Sequence, residues 1–361
     1  MRVVVIGAGP GGLTLAHGLR RTGIDVAVYE RDTALGRPQG VSLHLDERGA
    51  SALRACLPPA HVAMLEATSG GQRGRTLNLS EVDGVLEAAE GPARPGRQVH
   101  RPLLRAVLLT GLDDVVRFGA ELTRFERRPD GTVRAWFADG RTDTADVLVG
   151  ADGIGSAVRR RHLPGARVVD TGRRMLMGAT PVRAVAGTGL PELVGDNAAA
   201  AHLPGTTMAL SVLRFTRRPE AARRQWLPAL GPGAVAGLDD YVMWALAVTQ
   251  ERLGPASAWD TARELAADLP PALRQVVTEA WPDVTVTLRI ATIPPPPAWP
   301  PSPVTLLGDA IRLAPGFGAN LAMQDAHRLC AALTEAARGD LLDTIGAYES
   351  SFTADVVQAS V

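Results

Sequence analysis

The sequence predicts an α/β fold: a Rossmann-type nucleotide-binding domain, an inserted antiparallel-sheet domain and a helical C-terminus. Three observations carry this. A β-branched run near the start breaks into glycines spaced G-x-G-x-x-G. Two further strand-to-glycine-aspartate junctions follow near positions 150 and 308, and the long stretch between them alternates strand patterns with Pro/Gly loops.

Val3 to Ile6 read as a buried parallel strand. Gly7 allows the tight turn, Gly9 lets backbone approach a pyrophosphate, and Gly12 lets the next helix pack close to the strand. Leu13, Leu15, Ala16 and Leu19 continue at helical spacing, so the helix N-terminus points free N–H groups at phosphate. Ile24 to Tyr29 form a second strand ending in Glu30, near the ~20-residue offset of an acid that binds ribose hydroxyls. A carboxylate there repels a 2′-phosphate, which disfavours NADP at this site and leaves FAD and NAD.

Leu35 to Ser42 read as a polar Gly/Pro loop, and Ala50, Leu53 and Leu57 mark one face of a helix. Leu103 to Leu112 form a second amphipathic helix. Leu122 to Arg127, Val133 to Phe137 and Asp146 to Gly150 are separated by Pro-Asp-Gly and Asp-Gly turns, a β-meander that rejoins the parallel sheet. Leu176–Val182, Met208–Phe215 and Tyr241–Val248 read as strands of the inserted sheet, followed by helices around 259–269 and 271–280. Pro294 to Pro303 make a stiff connector to a strand at 304–307, and 320–350 reads as helical.

Composition narrows the chemistry. The 361 residues are 46% hydrophobic and 21% charged, and 38 basic residues balance 38 acidic ones, so neither nucleic acid nor an anionic membrane is an expected partner. Every basic residue is arginine, which excludes a P-loop lysine, a Schiff-base lysine and a pyridoxal-phosphate anchor. Cys56 and Cys330 show neither C-x-x-C nor zinc spacing and read as small buried hydrophobes. No metal site is expected: among the seven histidines, His44, His100 and His202 sit where a pocket wall is possible, but no pair has ligand spacing. Met1 runs straight into the first strand and no apolar stretch spans a bilayer, so the expectation is a cytoplasmic protein.

Val147 to Arg159 (VLVGADGIGSAVR) and Val304 to Asn320 (VTLLGDAIRLAPGFGAN) repeat the strand-to-glycine-aspartate junction. With the N-terminal glycines, these motifs make the chain resemble the single-component FAD-dependent monooxygenases of the p-hydroxybenzoate hydroxylase type, which include tetracycline-inactivating hydroxylases. The resemblance covers nearly the whole chain. It implies that Gly7, Ala8, Gly9, Pro10, Gly11 and Gly12 hold the FAD pyrophosphate, with Glu30 and the adjoining Arg31 at the adenosine ribose. It further implies that Asp309 takes the ribityl hydroxyls and that Arg101 reaches the phosphates or ribityl chain. Arg37 is a cofactor-side basic group, and the backbone of Leu122 meets the adenine. Asp152 and Gly153 serve both FAD and the nicotinamide dinucleotide. Gly316, Gly318, Ala319 and Asn320 face the flavin ring. Arg312 stands where the family has a histidine, and the following loop is shorter than the family pattern.

The resemblance implies bound FAD and NAD(P)H as transient reductant. The activity is hydroxylation or epoxidation of an aromatic or polyketide-like small molecule with O2, through a C4a-hydroperoxyflavin. No side chain is singled out as catalytic, because the cofactor carries the chemistry. The alternatives are a flavin-dependent reductase or isomerase of a lipid or terpenoid, and a non-catalytic dinucleotide-binding sensor. A halogenase is disfavoured, since its lysine and W-x-W-x-x-I-P stretch are missing. The expected limits are 1–72, 98–172 and 293–330 for the FAD-binding domain, 73–97 and 173–292 for the substrate sheet, and 331–361 for the C-terminal helical segment, in a monomer or homodimer.

Overall fold

Five parallel strands lie in the order Val304–Leu306, Val147–Gly150, Arg2–Ile6, Asp25–Glu30 and Val116–Phe118 in the computed structural model. The structure describes residues 1–33, 40–82, 84–203, 205–314, 316, 318–336 and 340–358, the last six as helix backbone only. Val3, Val5, Val28, Val147 and Val149 are fully buried, as both faces of the parallel sheet are covered. Helix Pro10–Arg21 packs between the sheet and helices Glu47–Cys56 and Gly318–Ala336. A Cβ at Gly18 would fall 2.7 Å from Cys330 Sγ and 3.2 Å from Cys56 Sγ. The two thiols, far apart in sequence, thus meet in the core, both buried.

The meander 122–145 forms its own three-stranded antiparallel sheet, whose last strand leads directly into Val147–Gly150. The larger sheet has eight strands, and its core is a separate cluster that includes Leu176, Met208, Trp244 and Val276. Gly178 is small because Trp244 lies across it, with a ring carbon 2.3 Å from where a Cβ would stand. Strand Ser42–Leu45 forms one edge of this sheet, although the expected limits put it with the nucleotide-binding segments.

Several strands carry little sequence signal. Ala198–Leu203 is mostly alanine, a poor strand former, and is held by pairing on both sides, with Thr76–Leu79 and with Thr206–Ser211. Val85–His100 contains Pro92 and Pro95, which donate no ladder hydrogen bond, and its pairing with Gln72–Val82 shifts register there. Among the described residues, no helix is long and apolar enough to cross a membrane.

Candidate cofactor and substrate site

The C-terminal ends of three parallel strands converge on one crevice, the position where doubly wound sheets bind ligands. Gly7 adopts φ +111°, and a Cβ there would fall 2.4 Å from the Ala151 carbonyl oxygen. At Gly12 a Cβ would fall 2.1 Å from the Gly7 carbonyl oxygen, and at Gly11 one would meet the Leu307 side chain at 2.7 Å. Gly9 is different: nothing lies within 4 Å of its absent Cβ. So Gly7, Gly11 and Gly12 serve internal packing, while Gly9 faces open space. Pro10 opens the helix, which has no acidic residue in its first turn and no side-chain cap, so its N–H groups and dipole are left for an anion.

Glu30 ends the neighbouring strand. Its carboxylate accepts from the Ala8 N–H at 2.7 Å and the Asp32 N–H at 2.9 Å, which ties the glycine loop to the second strand and fixes the carboxylate at the crevice. Arg31 next to it is exposed, 3.7 Å from Asp32. Leu122 is buried, and Ala120 just before it donates its N–H to the Glu30 carbonyl at 2.9 Å.

Asp152 and Gly153 follow the second strand. One Asp152 oxygen accepts from the Ala157 and Val158 N–H groups at 2.6 and 3.2 Å, capping the short helix Ala157–His162. The other oxygen is buried with no hydrogen-bond partner, and burial raises the carboxyl's pKa. Gly153 has φ +69°, so the chain turns sharply past it. Beyond it lies a cavity of about 430 Å³ whose lining includes Gly155, Arg159, Arg160, Arg167 and Arg289 and no acid.

Asp309 follows the third strand and is half-buried; desolvation raises its pKa, while Arg101 draws it down and Asp325 pushes it up. Arg101, at the first position of helix Arg101–Leu109, is half-buried, and desolvation lowers its pKa. A Cβ on Gly318 would fall 2.5 Å from an Asp309 carboxylate oxygen. Arg312 forms a buried salt bridge with Asp325, which also accepts the Gly308 N–H at 2.9 Å, and its guanidinium lies 5.3 Å from the Phe352 ring.

In the short loop after Arg312 the described residues are Leu313, Ala314 and Gly316, and Gly316 has φ +81°. Arg37 lies outside the described residues. Ala319 stands in the first turn of helix Gly318–Ala336. The Asn320 side chain is fully engaged: it donates to the His44 carbonyl at 2.8 Å and accepts the Asp46 N–H at 3.0 Å. That leaves its backbone N–H, one of the helix's first, without an intrahelical acceptor.

Sequence reasoning puts His44 and His100 at a possible pocket wall but misses Ser42, Arg73 and Gln98 beside them on the polar face of the larger sheet. Ser42, His44, Arg73, Gln98 and His100 project from one side of three adjacent strands and are all buried. His100 Nδ1 meets the Tyr241 hydroxyl at 3.2 Å within a group of edge-packed rings that includes Phe215 and Trp281. Burial holds the His44 and His100 pKa values down to about 4. The available signal was an arginine at an inward position of an alternating strand, which reads equally as a bulge residue.

The buried lone oxygen of Asp152, the open space at Gly9 and the uncapped helix after it fit a dinucleotide whose pyrophosphate and hydroxyls enter this crevice. Comparisons agree. A family profile described as an FAD binding domain matches residues 1–360. The chain is 31% identical over 401 aligned residues to a dual O-methyltransferase/FAD-dependent monooxygenase, CTB3, of Cercospora beticola, covering 97% of this chain and 44% of that protein. It is 36% identical over 199 residues to a 3-amino-4-hydroxybenzoate 2-monooxygenase of Streptomyces platensis, covering 53% of this chain and 48% of that one. The chain thus spans less than half the length of these curated relatives. The crystal structure of a putative FAD-containing monooxygenase from Photorhabdus luminescens superposes with a TM-score of 0.82 at 29% identity, covering 98% of this chain and 94% of that one.

Proposed function

The chain belongs to the FAD binding domain family, and from that premise we propose that it is an FAD-dependent monooxygenase. It uses NAD(P)H and O2 to hydroxylate or epoxidise an aromatic or polyketide-like small molecule, in the cytoplasm, as a monomer or homodimer. The observation that carries the reading is the convergence of Gly9, Asp152 and Asp309 at the ends of three adjacent strands, each with ligand-binding capacity that internal packing does not consume.

The N-terminus of helix Pro10–Arg21 would take the pyrophosphate, Glu30 the ribose hydroxyls, and Asp309 the ribityl hydroxyls with Arg101 balancing its charge. Arg37, Leu122, Gly153 and the 316–320 stretch complete this assignment. When bound, FAD supplies electron transfer from the nicotinamide to O2 and delivery of one oxygen atom to the substrate. The chain's own task is to orient the substrate under the polar face of the larger sheet and to exclude water. The arginine-lined cavity beside Gly153 supports a phosphate-rich dinucleotide as the transient reductant.

The purified protein is expected to be yellow and to release FAD on denaturation. Turnover under isotope-labelled O2 is expected to place one labelled atom in the product. Bound NAD without flavin would overturn the cofactor assignment. Product formed equally well without air would instead favour a reductase or isomerase.

A further inference from the structure

The chain holds two cysteines, Cys56 at the end of helix Glu47–Cys56 and Cys330 within helix Gly318–Ala336. These helices pack side by side and run in the same direction. Near their starts, a Cβ on Gly49 would meet Asn320 Oδ1 at 2.4 Å and the Met323 methyl at 2.8 Å. Further along, both thiols close on Gly18 of helix Pro10–Arg21. A Cβ there would stand 2.7 Å from Cys330 Sγ and 3.2 Å from Cys56 Sγ, and its next nearest neighbour is Cys330 Cβ. The two sulfurs thus border the volume of one missing methyl group, with no third side chain wedged nearer.

Burial in apolar surroundings alone would leave such thiols inert. Here a cation stands over them. Arg21 is exposed, and one terminal nitrogen donates to the Ala55 and Leu57 carbonyls at 3.0 and 2.8 Å, on either side of Cys56. The Cys56 thiol draws the Cys330 pKa down, against burial, and the charge of Arg21 adds to the effect. The Cys330 thiol and burial together push Cys56 up. One sulfur is therefore set to ionise while the other keeps its proton. Ala55 and Ala331, the chain neighbours of the pair, are both exposed, so a water-sized oxidant has a short path inward.

We propose that Cys56 and Cys330 are a reversible oxidation site, converted by hydrogen peroxide into a disulfide that clamps their two helices together beside helix Pro10–Arg21. The Cys330 thiolate attacks one peroxide oxygen and the O–O bond breaks; with one proton taken up, the products are a sulfenic acid and water. The Cys56 sulfur then attacks the Cys330 sulfur, and its proton leaves with the departing hydroxide as a second water. Two thiols lose two electrons and two protons, and the peroxide accepts them. The clamp bears on the cofactor, because helix Pro10–Arg21 presents the end assigned to the pyrophosphate and helix Gly318–Ala336 begins at the loop assigned to the flavin ring. Oxidised protein should therefore release FAD more slowly. That consequence rests on the cofactor assignment; the bridge itself does not.

The test exposes fully reduced, FAD-loaded protein to a modest molar excess of hydrogen peroxide, followed by catalase, denaturation and alkylation. Mass spectrometry should show the loss of two hydrogens, no alkylated thiol, and a peptide pair joining Cys56 to Cys330, all reversed by dithiothreitol. Cys56→Ser should stop the reaction at a Cys330 sulfenic acid that dimedone captures. FAD release on dilution should be ~10-fold slower from oxidised than from reduced wild-type protein, and equal in the two for Cys56→Ser. Two alkylatable thiols surviving in the folded wild type overturn the site, whether or not Cys56→Ser folds. So does a Cys330 sulfinic acid without a bridge, or a bridge between molecules. A bridge that leaves FAD release unchanged overturns the clamp. A bridge in protein that never binds flavin supports the oxidation site and refutes the cofactor assignment alone.

Discussion

Gly318 stands against Asp309 so closely that a single methyl group would reach the carboxylate. Gly318→Val must therefore move either the helix start or the aspartate. Asp309 is the group assigned to the ribityl hydroxyls, and a hydrogen bond to a charged group contributes ~1.5–3 kcal/mol. FAD affinity should fall ~10- to 100-fold, read by reconstituting apoprotein, while circular dichroism stays native. Unchanged affinity in a folded variant would detach this loop from the cofactor. At this scale Gly7, Gly9, Gly12 and Glu30 were legible in the sequence, because their backbone and hydrogen-bond demands involve near neighbours in a fixed pattern. Arg73 was not: its partners His44 and Gln98 lie on two other strands, and nothing local distinguishes it from Arg75.

Helix Gly318–Ala336 holds its place partly through Asp325, fully buried and bridged to Arg312. Removing one partner of a buried pair leaves an uncompensated charge, at ~3–5 kcal/mol. Arg312→Leu should thus lower the denaturation midpoint strongly, and Arg312→Leu combined with Asp325→Leu should recover much of the loss. If the single substitution is silent in a denaturant titration, the pair does not anchor the helix. This arginine replaces the family's histidine, and it fits because Phe352 and Asp325 accommodate the longer cation.

The arginine-lined cavity tests another element, the short helix after Asp152 and the loop following it. Arg167→Glu should raise the KM for NAD(P)H several-fold and weaken its dependence on ionic strength, leaving FAD affinity unchanged, by steady-state kinetics at two salt concentrations. An unaltered KM would place the reductant elsewhere. Elements with regular apolar periods were legible throughout. The alanine strand 198–203 and the proline-bearing strand 85–100 were not, because their conformation is imposed by neighbouring strands rather than by their own residues.

Across the whole molecule, titration couples to folding in two opposed ways. His17, His44, His100 and His162 are held at about 4, below the ordinary 6.5, chiefly by burial. Between those values the folded chain binds fewer protons than the unfolded one, so stability falls as pH falls through that window. Glu349, buried beside Thr305, is pushed up to about 7, so its contribution falls as pH rises from about 4.5 to 7. Four histidines outweigh one glutamate, and Tm should drop on acidification from pH 7 to 5. Glu349→Gln, which keeps an acceptor for Thr305, should raise Tm more at pH 8 than at pH 5. Equal shifts at both pH values would mean that Glu349 is not held protonated by the fold.

Strand Val147–Gly150 pairs with Val304–Leu306, and five of the eight strands of the larger sheet are threaded between them. On a translating ribosome, the crevice therefore stays incomplete until its last wall emerges, long after the first two walls have formed. Through that interval Val147–Gly150 presents an unpaired edge, a template for the wrong neighbour. Cofactor capture is consequently a terminal event in biogenesis. Nascent chains stalled before residue 304 should be colourless and dependent on chaperones, and those released beyond the helix at 318–336 should be the first to retain flavin.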